Sequence, residues 1–153
     1  MKLAREPRAL PDGRGKRVAV VSARFYEELA DRLEDGARRA LDACGVQPAA
    51  RSLHRVPGCF ELPLAARRVI AAGGCDAVVA LGIVVRGETP HFDFVAGECA
   101  RGLMDVALST GVPVGFGVLT TENVEQARVR ADPDGGDKGF EAALAALSML
   151  AVP

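Results

Sequence analysis

A three-layer αβα sandwich, with a four-stranded parallel sheet between two layers of helices, is the fold class this sequence predicts. Three observations carry that reading. Short continuous apolar runs, Val18–Ser22, Ala77–Leu81 and Val112–Leu119, have the length and β-branched content of buried strands. The stretches between them place apolar residues at helical spacing. Strands that alternate with helices are joined by right-handed crossovers, which put helices on both faces of a parallel sheet.

Each element follows from local chemistry. Residues 1–16 form a polar leader ending in Gly13-Arg14-Gly15-Lys16; these glycines precede the first strand instead of following one, so they read as a turn and not as a phosphate loop. Residues 17–153 read as one domain. After the strand Val18–Ser22 the pattern turns helical from Glu27, with Leu29, Leu33, Ala37, Ala40, Leu41 and Cys44 on one face and Gly45 where a C-cap glycine belongs. Residues 50–56 are extended and stop at Pro57-Gly58. Pro63 suits the first turn of the next helix, where a missing N–H costs little, and Gly73-Gly74 ends it. Ala77–Leu81 is the third strand. Thr89 and Pro90 read as the N-cap and first position of a long helix to about Thr110. Val112–Leu119 is the fourth strand; a short helix from about Glu122 to Ala131, a loop at 132–136 and a last helix bearing Phe140, Leu144, Leu147 and Ala151 complete the chain.

Composition narrows the function classes. The chain has 153 residues, enough for one domain with a sizeable core, and its formal net charge of −1 supplies no field to recruit nucleic acid or an anionic membrane. The arginine pairs Arg38-Arg39 and Arg67-Arg68 lie in helical stretches near acids such as Glu34 and Asp42, as on a solvated helix face. Four widely spaced cysteines and two histidines give no paired metal ligands. No apolar run approaches the ~18 residues a membrane span needs. A cytoplasmic protein with reduced thiols and no metal is the expectation.

Ligands of open parallel sheets bind beyond the carboxyl ends of the strands. The segments that follow the strands are Ala23-Arg24-Phe25-Tyr26, Pro57-Gly58-Cys59-Phe60-Glu61, the run from Ile83 to Phe92, and Thr120-Thr121-Glu122-Asn123, so aromatic and titratable residues gather at one edge. In the third segment, Gly87-Glu88-Thr89 at a helix start offers backbone N–H groups and the positive end of the helix dipole, which suit a phosphate. Glu88 would have to turn its carboxylate away from such an anion. His91, in the first helical turn, can exchange protons near neutral pH, although a histidine there is otherwise a plain surface residue. Arg130 matches phosphate geometry or merely complements its helix dipole. Phe25 and Phe116 are platforms for a flat heterocycle or core residues, and the two glycines flanking Phe116 leave its ring uncrowded. Glu61 is an anchor for ligand hydroxyls or a helix-start acid. No G-x-G-x-x-G follows a strand, which argues against a nicotinamide enzyme.

Four segments taken together resemble the lumazine synthase family: residues 20–25, 56–63, 81–92 and 116–123, in order and at matching intervals between Val18 and Leu150. The resemblance implies a flavodoxin-like fold and an enzyme of riboflavin biosynthesis. It implies that Phe25 stacks on a pyrimidine ring, that Cys59, Phe60, Glu61, Ile83, Val84 and Val85 hold the uracil and ribityl groups largely through backbone, and that Phe116 completes the pocket from a neighbouring subunit. Glu88, Thr89 and Arg130, with Lys138 close by, would bind the phosphate of 3,4-dihydroxy-2-butanone 4-phosphate, and His91 would transfer protons. No cofactor is implied. The partners implied are the two small-molecule substrates and further copies of the chain, as a pentamer or as a sixty-subunit shell of pentamers.

Three positions depart from the family pattern: Tyr26 stands where asparagine is usual, Ile83 where threonine is frequent, and Asp134 where a further lysine often precedes Lys138. The related readings are an archaeal-type riboflavin synthase of similar fold, which would need no sugar phosphate, and a catalytically silent homologue that keeps the shell.

Overall fold

The computed structural model describes residues 9–153; residues 1–8, half of the expected leader, lie outside the described residues. In chain order the elements are β1 (Val18–Ala23), α1 (Glu27–Ala43), β2 (Arg51–Val56), α2 (Leu62–Ala71), β3 (Ala77–Val85), α3 (His91–Thr110), β4 (Val114–Thr121), α4 (Val124–Ala131) and α5 (Lys138–Met149). All neighbouring strands run parallel in the order β2-β1-β3-β4. The expected α/β sandwich is the fold.

Why the strands read as unbroken apolar runs is visible in the two cores. Val18 and Val20 of β1, with Val79 and Leu81 of β3, pack on one side against Leu33 and Leu41 of α1 and Leu147 of α5. Ala19, Val21, Val78 and Ala80 point the other way, against Leu62 of α2 and Cys99 and Leu103 of α3. A sheet covered on both faces leaves little place for polar residues, and in β1 Ser22 is the one polar side chain. The edge strand β2 is different: residues 52–55 are exposed, which accounts for its polar composition.

Helix α5 lies tightly on α1 and β4 because glycine permits it. A Cβ on Gly139 would sit 2.1 Å from the Leu33 carbonyl oxygen of α1. One on Gly115 would sit 2.2 Å from the Ala142 carbonyl oxygen of α5. The glycines beside Phe116 therefore also serve helix–sheet contact, while the Phe116 ring itself stays half exposed. The Arg39 guanidinium reinforces the joint by donating to both carboxylate oxygens of Asp137 at 2.8 and 3.0 Å. Arg38 is paired with Asp35 and Asp42 on the α1 surface.

Several boundaries depart from the expectation, each for a physical reason. Strand β3 continues four residues past Leu81, because Gly82 marks a close approach instead of a break; a Cβ there would meet the Cys59 Sγ at 2.5 Å. Strand β4 runs from Val114 to Thr121, two residues later than expected, and Pro113 serves β3 through its carbonyl oxygen, which accepts from Val78 N–H at 2.9 Å. Thr89 does not cap α3: Pro90 holds that position and no side chain bonds there. Helix α4 opens at Val124, its first turn capped by the Asn123 side chain accepting from Gln126 N–H at 2.9 Å. Among the described residues no helix is long and apolar enough to cross a membrane.

Candidate active site

The parallel register brings three strand ends together. Ala23 of β1 is level with Val56 of β2, and the Arg24 N–H donates to the Val56 carbonyl oxygen at 2.9 Å just beyond them. On the other side β1 pairs with β3 only as far as Ser22–Leu81, while β3 runs on beside β4 to Val85–Thr121. Residues 82–85 thus have a strand neighbour on one side only. Their other edge carries backbone polar groups that the sheet does not use and that a ligand can meet.

A cavity of about 660 Å³ opens at that overhang. Phe25, Cys59, Phe60, Glu61, Ile83, Val84, Val85, Thr89 and His91 all line it, so most of the sequence-derived candidates come together. Phe25 stands in the loop after β1 with its side chain three-quarters exposed, and its ring meets the Tyr26 ring edge-on, centroids 5.0 Å apart. Cys59, Phe60 and Glu61 form a single 3-10 turn before α2. The Gly58 N–H donates to Glu61 Oε2 at 3.0 Å, so this carboxylate stiffens its own turn. Cys59 is buried as part of the floor, its thiol donating to the Ile83 carbonyl oxygen at 3.6 Å. Contact with the Cys99 thiol, then burial, push its pKa far above the ordinary thiol range, so it is a neutral wall and not a nucleophile.

The turn from β3 into α3 is braced by Arg86. Its guanidinium reaches Glu122 at 2.9 Å and Asp93 at 3.4 Å and lies over the Phe92 ring at 4.4 Å. These contacts, the Glu122 hydrogen bond first, raise the Arg86 pKa above its already high ordinary value. Gly87 and Thr89 line the cavity, whereas Glu88 is exposed and lies outside the lining. His91 is the first residue of α3, exposed at the cavity rim, where the unpaired N–H groups of the first turn gather.

Phe116, Arg130 and Lys138 fall elsewhere. They line a second cavity of about 390 Å³ at the β4 edge, with Thr120 and Glu141. Arg130 donates to the Gln126 carbonyl oxygen of its own helix at 3.0 Å and, among the described residues, makes no ion pair. Lys138 pairs with Glu141 at 2.7 Å. The loop 132–137 folds back on α4, with Gly136 N–H donating to the Val129 carbonyl oxygen at 2.9 Å, and so holds Arg130 beside Lys138. Asp134 is exposed on that loop. A single chain therefore presents two separate cavities, one aromatic with a histidine, the other cationic.

Pro57, Gly58, Phe92, Phe94 and Val95 also line the cavity, although their immediate sequence context suggests no role for them there. Phe94 and Val95 carry a signal that could have found them, because they lie three and four residues after His91 and share its helix face. The brace role of Arg86 depends on Glu122, thirty-six positions away, and no local pattern announces it.

Comparison with known proteins gives one consistent answer. A family model described as 6,7-dimethyl-8-ribityllumazine synthase matches residues 15–153. A 6,7-dimethyl-8-ribityllumazine synthase of Kineococcus radiotolerans is 57% identical over 141 residues, covering 91% of this chain and 86% of that one. Proteins of the same name from Halorhodospira halophila (53% identical, 88% of this chain and 86% of the other) and Chlorobium phaeobacteroides (46%, 90% and 88%) are similar over the same extent.

Proposed function

The chain belongs to the 6,7-dimethyl-8-ribityllumazine synthase family, and on that premise we propose that this transferase of riboflavin biosynthesis condenses 5-amino-6-(D-ribitylamino)uracil with 3,4-dihydroxy-2-butanone 4-phosphate. The observation that carries the reading is the shared cavity of Phe25 and His91 under the overhanging edge of β3. A flat ring can lie on Phe25 while backbone groups of residues 83–85 take its polar edge. Cys59 and Phe60, with the turn that Glu61 stiffens, bound the ribityl side.

The reaction asks the protein mainly to hold two reactants. The 5-amino nitrogen attacks the ketone carbon, and loss of water gives an imine. Loss of a proton from the sugar carbon chain and departure of inorganic phosphate leave an enol, which tautomerises to a carbonyl. The ribitylamino nitrogen then closes the second ring with loss of a second water. Orientation alone can supply roughly 7–11 kcal/mol of the barrier. His91, at the rim, is the group that accepts and returns protons, a role worth about 10²–10⁴-fold in rate. No metal or organic cofactor enters this scheme.

Thr89 and the α3 amides serve the phosphate on one side, with Glu88 turned away. Arg130 and Lys138 serve it from the second cavity, where Phe116 closes over the heterocycle. For the two cavities to act on one substrate pair they belong to different copies of the chain. We assign the working unit accordingly as a pentamer, free or built into a sixty-subunit shell, in the cytoplasm, with residues 17–153 as its single domain.

Mixing the purified protein with both substrates tests the reading: phosphate release and lumazine absorbance should rise together, and His91→Ala should slow both by about a hundredfold or more while the aminouracil still binds. Binding of both substrates with no product would sink it.

A further inference from the structure

Building on that reading of the site, we propose that Glu34 is a positioning residue, which sets the spacing between the Phe25 wall and the Pro57–Glu61 wall of the cavity without touching what lies between them. Glu34 is on α1 and does not line the 660 Å³ cavity. Its carboxylate, only 12% exposed, sits between two guanidiniums that belong to different walls. Oε1 accepts from Arg24 at 3.0 Å and from Arg55 Nε at 3.2 Å, and Oε2 accepts from Arg55 at 2.8 Å. Arg24 immediately precedes Phe25; Arg55 is two residues before Pro57. The carboxylate is thus a staple between the carboxyl ends of β1 and β2, at the point where both chains leave the sheet.

The need for such a staple follows from how little else holds Phe25. Its ring is 75% exposed, and among the described residues its one ring neighbour is Tyr26, met edge-on. An exposed aromatic platform stacks well only if the backbone beneath it is fixed, since a ring free to swing loses that freedom on binding. Below Phe25 the backbone bond from Arg24 to Val56 and the Glu34 staple do the fixing. Asp31 takes the other arm of Arg24 at 2.7 Å but is itself exposed and bonds no residue of β2. Neutralising Glu34 would leave Arg24 and Arg55 facing each other with no carboxylate between them, and like charges in a half-buried place move apart. The walls would splay, and a flat ligand would lose its stack.

A double-mutant cycle on the assembled, full-length protein tests this. With binding of the aminouracil followed by calorimetry, Glu34→Gln should weaken the affinity about tenfold, while KM for the butanone phosphate stays within about twofold. In a Phe25→Ala background the same Glu34→Gln change should cost less than about twofold, because the ring it positions is gone. Arg55→Met, at an exposed position, opens the staple from the β2 side and should act in the same direction by about threefold, which keeps the test alive if Glu34→Gln fails to assemble. Glu34→Asp should recover part of the loss. Equal effects of Glu34→Gln with and without Phe25, or an unchanged affinity beside a lowered melting temperature, would overturn the proposal and leave Glu34 purely structural. An affinity that survives Phe25→Ala untouched would instead bring down the reading of the cavity itself, and the proposal with it.

Discussion

Burial and charge act in opposite directions on the Glu34 carboxyl. Burial favours the neutral acid, but the hydrogen bonds from Arg55, the nearby Ser22 hydroxyl and the positive charge of Arg24 outweigh it, and the pKa falls below the ordinary 4.5. A carboxyl whose folded pKa is lowered contributes stability above its unfolded value, and that contribution is lost as pH falls through the folded value. Glu34→Gln should therefore be less stable than the unmutated protein at about pH 7, and the gap should narrow as the pH drops below about 4. Urea denaturation at several pH values measures it; a gap independent of pH would mean that the ion pairs contribute nothing. At this scale the sequence is readable in part. His91 announces itself by standing at a helix start after a glycine turn. Glu34 does not, since its partners lie ten and twenty-one positions away and its own surroundings on α1 look like an ordinary charged helix face.

Packing between elements rests on places where a side chain is missing. At Gly139 the backbones of α5 and α1 approach so closely that a methyl group would overlap the Leu33 carbonyl oxygen. Gly139→Ala should cost about 2 kcal/mol, as overpacking of a tight interior does, read as a lower midpoint in chemical denaturation; an unchanged midpoint would show that α5 can shift freely. Because Lys138 is the first residue of α5 and lines the second cavity, such a shift would also disturb the cationic half-site. The elements themselves were legible because periodicity is a local property: unbroken apolar runs marked doubly covered strands, and the 3.6-residue repeat marked α1. Their ends were not. Gly82 looks like a strand terminator but is a contact with Cys59, and Thr89 looks like a cap but leaves that position to Pro90. At Gly82 a tertiary neighbour, Cys59, overrode the local preference; at Thr89 the next residue in the chain took the position.

Across the whole molecule, the strand order decides where the chemistry falls. With β1 and β3 adjacent and β4 beyond them, Phe25 and His91 share a cavity while Arg130 and Lys138 face outward at the β4 edge. Order in the sheet is not written in any single segment, so the sequence could name both sets of residues without showing that one chain keeps them apart. Phe94 and Phe60, each more than 60% exposed, line the cavity and offer apolar area to what enters it. On the function proposed above, one complete site draws its histidine half and its cationic half from different copies. Assemblies formed from an equal mixture of His91→Ala and Arg130→Gln chains test it most directly. Each variant alone should be strongly impaired, and the mixture should regain about a quarter of the unmutated activity, because each half-site is intact at even odds in a symmetric assembly. A mixture as inactive as its parents would mean that both halves belong to one chain, and the account would be wrong.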